Sequence, residues 1–467
     1  MVLGGTPLGK SGDYIVNLLS KARSAWEKDH LLRQVVKNSS YLFSSSTLGI
    51  GLNILTSIFS SRALGVASFG VLGAITTFAA VADKLLSFRI GELVVKYSGA
   101  ALTKGDKNAA AAVFKVSALT EITVSFLSYL LIVLFSPFAA TYFAKDASLS
   151  PWFMLYGLIV PAGLTFETSS ALLQITGKYR FQAIINFIQN LITTIIVAIA
   201  FFSPDPFPVV VIGYLAGKTF SGFSYLIFSL VQANKTFGAD WWKVSLNLLP
   251  PRKEFWGFAF SSNFSGTVNL FVRDSDILWV NYFLSPLQGG YYKLAVSLIG
   301  FMLIPIDPFI KTSFPEITRT VTERSWAKLR KLLQRLTLIS GGATILFGVL
   351  FAVAGKYLIT LVYGEAFVPA WVPAMILFFG YGFANIFFWN RPLLLALGKP
   401  FYPMMVTLLS GSGKILLSFL LISQFGINAQ AIIMTSYFIL SISLILQKGF
   451  RTIKYYEKLD QADKITL

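Results

Sequence analysis

The chain has no cysteine and one histidine in 467 residues. The first absence excludes disulfides, a thiol nucleophile and cysteine-held metals. The second leaves His30, in the polar amino-terminal stretch, with no partner for a histidine metal cluster or an intramembrane proton relay. Charge is scarce too: 13% of residues are charged, against roughly 25% in soluble globular domains. Acids are the rarer sign, 21 against 39 lysines and arginines. What fills the chain instead is apolar, with 55% hydrophobic residues and a mean hydropathy of +0.67. Such a composition suits lipid rather than water.

Apolar runs of about 20 residues are long enough to span a bilayer as helices. They predict an all-α integral membrane protein with twelve spans, at 39–61, 68–97, 109–135, 152–176, 181–202, 208–232, 255–283, 289–313, 332–354, 370–397, 401–423 and 428–448. An even number of crossings puts both termini on one side. Of the lysines and arginines, 28 fall on that side and only Arg62, Lys145 and Lys356 on the other. Positive loops stay in the cytoplasm, so both termini are expected there, in a multi-pass protein of the cell membrane. The net charge of +18 is then a record of topology, with no nucleic-acid partner implied.

The apolar chain also repeats itself. Leu64 and Gly70 fall on Leu284 and Gly290 at an offset of 220, and Lys104 and Lys115 fall on Arg324 and Arg335. Trp152 falls on Trp371, and Gly177-Lys178 falls on Gly398-Lys399, within one residue of that offset. Six spans per copy is an even number, so the copies share one orientation. Two parallel six-helix repeats around a central cavity are a common plan for carriers. The predicted organisation is a cytoplasmic amphipathic leader (1–38), an N-lobe (39–232), a cytoplasmic linker (233–254), a C-lobe (255–448) and a cytoplasmic tail (449–467). Trp241, Trp242, Pro250 and Pro251 suit a linker lying at the lipid interface. The cations Arg324, Lys328, Arg330 and Lys331 set topology, with anionic headgroups as a second use.

Eight cations lie inside predicted spans: Lys84, Arg89, Lys115, Lys218, Arg273, Lys293, Arg391 and Lys414. Seven acids join them: Asp83, Glu92, Glu121, Glu167, Asp274, Asp276 and Asp307. At bilayer depth each costs roughly 2.5–3.5 kcal/mol on insertion scales, so most must face a wet cavity or a partner. The densest group is Arg273-Asp274-Ser275-Asp276. Arg273 and Asp276 share a helix face at i,i+3 and are expected to pair, while Asp274 needs a partner elsewhere. Either Arg273 contacts an anionic substrate and an acid couples an ion, or the group is a structural ion pair fastening the halves. Arg89 has Glu92 at i,i+3. Arg391, between Asn390 and Pro392, has capping of freed backbone groups as its alternative. Lys218, Lys293 and Lys414 snorkel or line the cavity, Lys293 closest to water, and Lys115 marks the cytoplasmic edge. Glu121, Glu167 and Asp307 stand alone in apolar sequence, as proton-coupling sites or as interhelical hydrogen-bond acceptors.

The stretches RALGVASFG, TGKYRFQA and RDSDILWVNYFLSPLQGGYY, with LVYGEAFVPA and LALGKP, resemble Wzx-type oligosaccharide flippases over about residues 38–446. The resemblance implies the multidrug/oligosaccharidyl-lipid/polysaccharide exporter fold. It implies that polyprenyl-diphosphate-linked oligosaccharide is carried between leaflets, with no enzymatic activity and no cofactor. By location it points to Arg273, then Arg89 and Arg391, with Lys218, as ligands of the diphosphate. Asp276, Asp274, Asp83, Asp307, Glu167 and Glu121 are the ion-coupling candidates. Membrane lipids, and a polysaccharide polymerase or glycosyltransferases, are the implied partners. Two features depart from that pattern: the first span carries no charge, and the interior is barely more basic than acidic. The alternative is a cation-coupled multidrug exporter of the same superfamily.

Overall fold

Inside lipid no water satisfies a free amide or carbonyl, so a spanning chain closes its hydrogen bonds within helices. The computed structural model describes residues 30–87, 90–251, 253–257, 267–303 and 307–465, and among them helix occurs within each of the twelve predicted runs and strand in none. The N-lobe holds α1 (His30–Leu86), α2 (Lys107–Ala139), α3 (Ser150–Gly157), α4 (Phe166–Ile175), α5 (Tyr179–Ile199) and α6 (Pro206–Phe237). The C-lobe holds α7 (Asp276–Phe283), α8 (Pro286–Leu303), α9 (Asp307–Thr322), α10 (Trp326–Tyr363), α11 (Trp371–Ile386), α12 (Asn390–Ala396) and α13 (Phe401–Ile465). Among the described residues eight helical stretches are long and apolar enough to cross a membrane. Two of them contain two predicted runs each, divided where Gly65 and Gly426 take φ of 69° and 71°. Glycine enters that left-handed region without a Cβ penalty, so one helix passes into the next with almost no loop. Val353 is 82% exposed and Leu409 76%, which a lipid surround makes favourable.

Several boundaries differ from the sequence reading. α1 starts at His30, inside the predicted leader, whose residues 1–29 lie outside the described residues. α6 runs on to Phe237, and short 3₁₀ turns at Trp241–Lys243 and Leu246–Leu248 form part of the linker. The Trp241 indole donates to Asn234 Oδ1 at 2.8 Å and its ring stacks edge-on against Phe114 at 5.3 Å. Trp241 therefore belongs to the N-lobe surface, while Trp242 stays exposed. α13 continues through the predicted tail to Ile465 because that extension has partners. Asp460 accepts from Arg324 and from the Trp326 indole, and Glu457 pairs with Arg330. Two of the cations weighed above for lipid headgroups are thus engaged by the tail.

The duplication is visible in backbone detail. Gly177 and Gly398 both have φ of 70°. Lys178 N–H donates to the Leu173 carbonyl at 2.7 Å, and Lys399 N–H donates to Leu394 at 2.8 Å. One helix-ending motif therefore appears at corresponding places in the two copies. Gly70 and Gly290, paired by the 220-residue offset, meet where α1 crosses α8. A Cβ on Gly70 would collide with the Pro286 carbonyl, and one on Gly290 with the Val66 carbonyl. Pro286 is Val66 moved by the same 220 residues, so the crossing is its own image under the repeat.

That crossing lies at the end of the molecule away from the termini, where the lobes share one core. Phe69, Leu72 and Ile75 pack there with Leu294, Tyr363 and Phe367. Arg62 Nε donates to the Val362 carbonyl at 2.6 Å and its Nη2 to Leu361. Lys145, in a left-handed conformation with φ of 58°, donates to the Tyr282 carbonyl at 2.7 Å. Each of these N-lobe cations sits on the last carbonyls of a C-lobe helix, where the helix dipole is negative. The neighbouring Asp146 accepts from the Ser148 hydroxyl at 2.6 Å and backbone N–H at 2.9 Å, which holds its carboxyl below the usual range. At the termini end, among the described residues, the core clusters stay within one lobe: Ile317, Trp326, Trp389 and Ile453 in one, Phe114, Leu172 and Phe237 in the other. A further cluster of Leu93 and Val113 takes in Phe255 and Trp256, the first residues after the linker. Among the described residues the lobes share a core at the far end, while at the termini end only Phe255 and Trp256 of the C-lobe join an N-lobe cluster.

Candidate functional site

The seventh predicted run is not a regular helix where its charges lie. Leu270–Asp274 forms a π turn, closed by Ser275 N–H on the Leu270 carbonyl at 3.1 Å. A π turn carries about one extra residue per turn, so i,i+3 spacing no longer marks a shared face. The expected Arg273–Asp276 pair does not form. Asp276 turns into the C-lobe, 4% exposed, and accepts from Lys414 Nζ and, at 3.0 Å, from the Tyr292 hydroxyl. Lys414, 2% exposed, also donates to the Val272 carbonyl at 2.6 Å. It neither snorkels nor lines a cavity.

Asp274 faces the other way and finds the partner it needs in the opposite lobe. Lys84 Nζ lies 2.7 Å from its carboxylate, with both side chains about half exposed. The contact joins α1 to the π turn, so it stands where the lobes face each other. Arg273 is also exposed, its guanidinium 5.2 Å over the Phe438 ring. A cavity of about 520 Å³ opens between the π turn, α12 and α13, lined by Arg273, Asn269, Asn390, Arg391, Tyr437 and Phe438. Among the described residues neither arginine makes an ion pair. Two uncompensated guanidinium forks match phosphate oxygens, and the amides and phenol beside them offer donors and acceptors for hydroxyls.

The other expected residues are dispersed. Lys218 is exposed on α6, away from this cavity, and Arg89 lies outside the described residues, as does the Asp307 side chain. Lys293 does not reach water freely: its ammonium sits 4.1 Å over the Phe69 ring and donates to the Phe69 carbonyl at 3.3 Å. Lys115 donates to the linker carbonyl of Val244 at 3.2 Å. In the N-lobe the fourth run breaks around Gly163, and α4 restarts after Thr165, which caps nothing with its side chain. Glu121, from α2, fills that need: its carboxylate accepts from Glu167 N–H at 2.8 Å and Thr168 N–H at 2.9 Å. Glu167 in turn accepts from Gly91 N–H at 3.3 Å, where helix resumes at Ile90. These two acids are interhelical acceptors, each placed at the positive start of a broken helix. Asp83 lies within electrostatic reach of Glu167.

Sequence reasoning named Lys84 and Lys414 among the embedded cations but gave neither a partner. A lone cation in the apolar run 401–423 demands a buried acid. Nothing in the linear chain chooses among the seven on offer.

A model of the family described as polysaccharide biosynthesis protein matches residues 35–321. The Escherichia coli (strain K12) inner membrane protein YghQ is 23% identical over 352 residues, covering 74% of this chain and 97% of that relative. Among solved structures, an inward-facing multidrug resistance MATE family transporter of the MOP superfamily aligns over 87% of this chain and 95% of its own, with 13% identity and a TM-score of 0.66. The lipid II flippase MurJ, in an inward closed conformation, aligns over 90% of this chain and 89% of its own, with 15% identity and a TM-score of 0.62. The chain therefore shares the fold of these two solved structures.

Proposed function

The chain belongs to the polysaccharide biosynthesis protein family, and from that membership we propose that it is a flippase for polyprenyl-diphosphate-linked oligosaccharide. It works in the inner membrane, with both termini cytoplasmic, moving its cargo to the outer leaflet by alternating access. The observation that carries this is the placement of Arg273 and Arg391 in one cavity with no ion pair to either among the described residues. With the termini end facing the cytoplasm, the described state is closed outward, as a carrier is when it loads from inside. The diphosphate meets the guanidinium groups while the polyprenyl tail stays in lipid. Polymerase or glycosyltransferases consuming or supplying the glycan are the expected neighbours. Asp83, Glu167 and Asp307 are retained as the ion-coupling proposal, and no cofactor takes part.

A cation-coupled drug exporter is the second reading, favoured by the carboxylates of Asp83, Glu121 and Glu167 gathered in the N-lobe. Against it, two unpaired arginines repel a cationic drug. The test is leaflet transfer of polyprenyl-diphosphate glycan in vesicles. A charge-assisted hydrogen bond is worth roughly 1.5–3 kcal/mol, so Arg273→Ala should slow transfer by about 10–150-fold, with partial recovery in Arg273→Lys. Unimpaired transfer by the alanine variant would remove Arg273 from the path. Uptake of lipophilic cations without glycan transfer would select the exporter.

A further inference from the structure

The C-lobe holds a cluster of oxygen atoms that no part of the cargo path uses. The Asp276 carboxylate, the Val272 carbonyl and the Tyr292 hydroxyl converge in the interior, and the first two both contact one ammonium, that of Lys414. A carboxylate, a freed backbone carbonyl and a hydroxyl are the donor set that hard cations such as sodium or calcium select. The carbonyl lies within the π turn Leu270–Asp274, and such turns loosen the regular ladder. Asp276 and Lys414 are both buried, so neither charge is held by bulk water. Each charge is therefore tolerated only because the other is present. Lys414 arrives from α13, a helix otherwise apolar around it, and its ammonium occupies the position a free ion would need.

We propose that the Lys414 ammonium is the resident, covalently tethered cation of a C-lobe cation site formed by Asp276, Val272 and Tyr292. The site is permanently filled from within. No free metal ion exchanges there, and the working cycle draws nothing from a sodium gradient through Asp276. The groups facing Asp276 are Lys414 from α13 and Tyr292 from α8, with Tyr381 of α11 within electrostatic reach, and Arg273 and Asp274 precede it on its own strand of backbone. Three elements thus meet on one buried charge pair. Lys414 is a positioning residue: it fixes Asp276, and through the same turn the two exposed charges Arg273 and Asp274.

The experiment uses the purified full chain in detergent, with sodium chloride exchanged for choline chloride at constant ionic strength. Thermal-unfolding midpoint and binding of radioactive sodium are read together, and no glycan is involved, so the outcome is independent of the cargo. Wild type and Lys414→Arg should show no saturable sodium response that depends on Asp276. Lys414→Ala removes the tethered ion, and should gain a saturable sodium-dependent rise in midpoint with about one ion bound, lost again in Lys414→Ala/Asp276→Asn. A saturable sodium response in wild type that Asp276→Asn abolishes would overturn the proposal, and it needs no lysine variant to fold. A folded Lys414→Ala variant indifferent to sodium and choline would overturn it as well.

Discussion

Glu121 is an acid in an apolar helix whose role depends on a helix start 46 residues away along the chain. Its two oxygens satisfy two amide groups that α4 leaves unpaired at its beginning. A buried donor stripped of its acceptor costs roughly 1–3 kcal/mol. Glu121→Ala should therefore destabilise the protein by about 2–6 kcal/mol as two such donors are freed, while Glu121→Gln, which keeps one acceptor oxygen, loses about half as much. Equilibrium unfolding in mixed micelles would read the difference; equal stability of the alanine variant and wild type would remove Glu121 as the cap. The acid was legible in sequence, and interhelical acceptor was one of its two expected roles, but its target was not legible, because the break at Gly163 was not. Asp276 is the sharper case. Spacing within one helix proposed Arg273 as its mate, whereas Lys414, 138 residues on, supplies the ammonium. Local periodicity sees neighbours on the same rod and is blind to competitors from another.

Among elements, the crossing of α1 and α8 depends most on exact residue size. Hydropathy located both rods, and the 220-residue offset marked Gly70 and Gly290 as equivalents. That these two residues face each other's helices across the lobes was beyond the linear chain. Each methyl group added there meets a backbone carbonyl, which cannot rotate away. Overpacking of this kind costs about 1–3 kcal/mol. Gly70→Ala and Gly290→Ala should lower the unfolding midpoint by similar amounts, because the repeat gives them equivalent surroundings. Gly342→Ala, where an added Cβ meets nothing within 4 Å, is the control and should leave the midpoint unchanged or raise it. A large difference between Gly70→Ala and Gly290→Ala would contradict the equivalence.

For the whole molecule, the balance between closed and open far ends rests on few polar contacts. Charge asymmetry set Arg62 and Lys145 apart in sequence, as two of only three cations on their side. Topology rules account for the many on the other side and say nothing of these. Both reach across to the opposite lobe. An exposed cation at a helix end is worth roughly 0.3–1 kcal/mol, so removing both should shift the equilibrium toward a form open at this end by a factor of about 3–30. The absence of cysteine makes the measurement clean. Thr141→Cys and Leu287→Cys would carry spin labels, and Arg62→Ala/Lys145→Ala should populate longer distances between them. An unchanged distance distribution would show that the shared apolar core closes this end by itself.

These two clasps have an unusual receiving half. Leu361 and Val362 offer Arg62 main-chain oxygen, which every amino acid possesses, while Tyr282 gives Lys145 its carbonyl and also its ring, 5.6 Å from the ammonium. The side chains of Leu361 and Val362 can therefore change while the Arg62 clasp keeps its grip. At the arginine clasp only the arginine must keep its side chain, so substitution on the receiving helix carries no obligation for the opposite half.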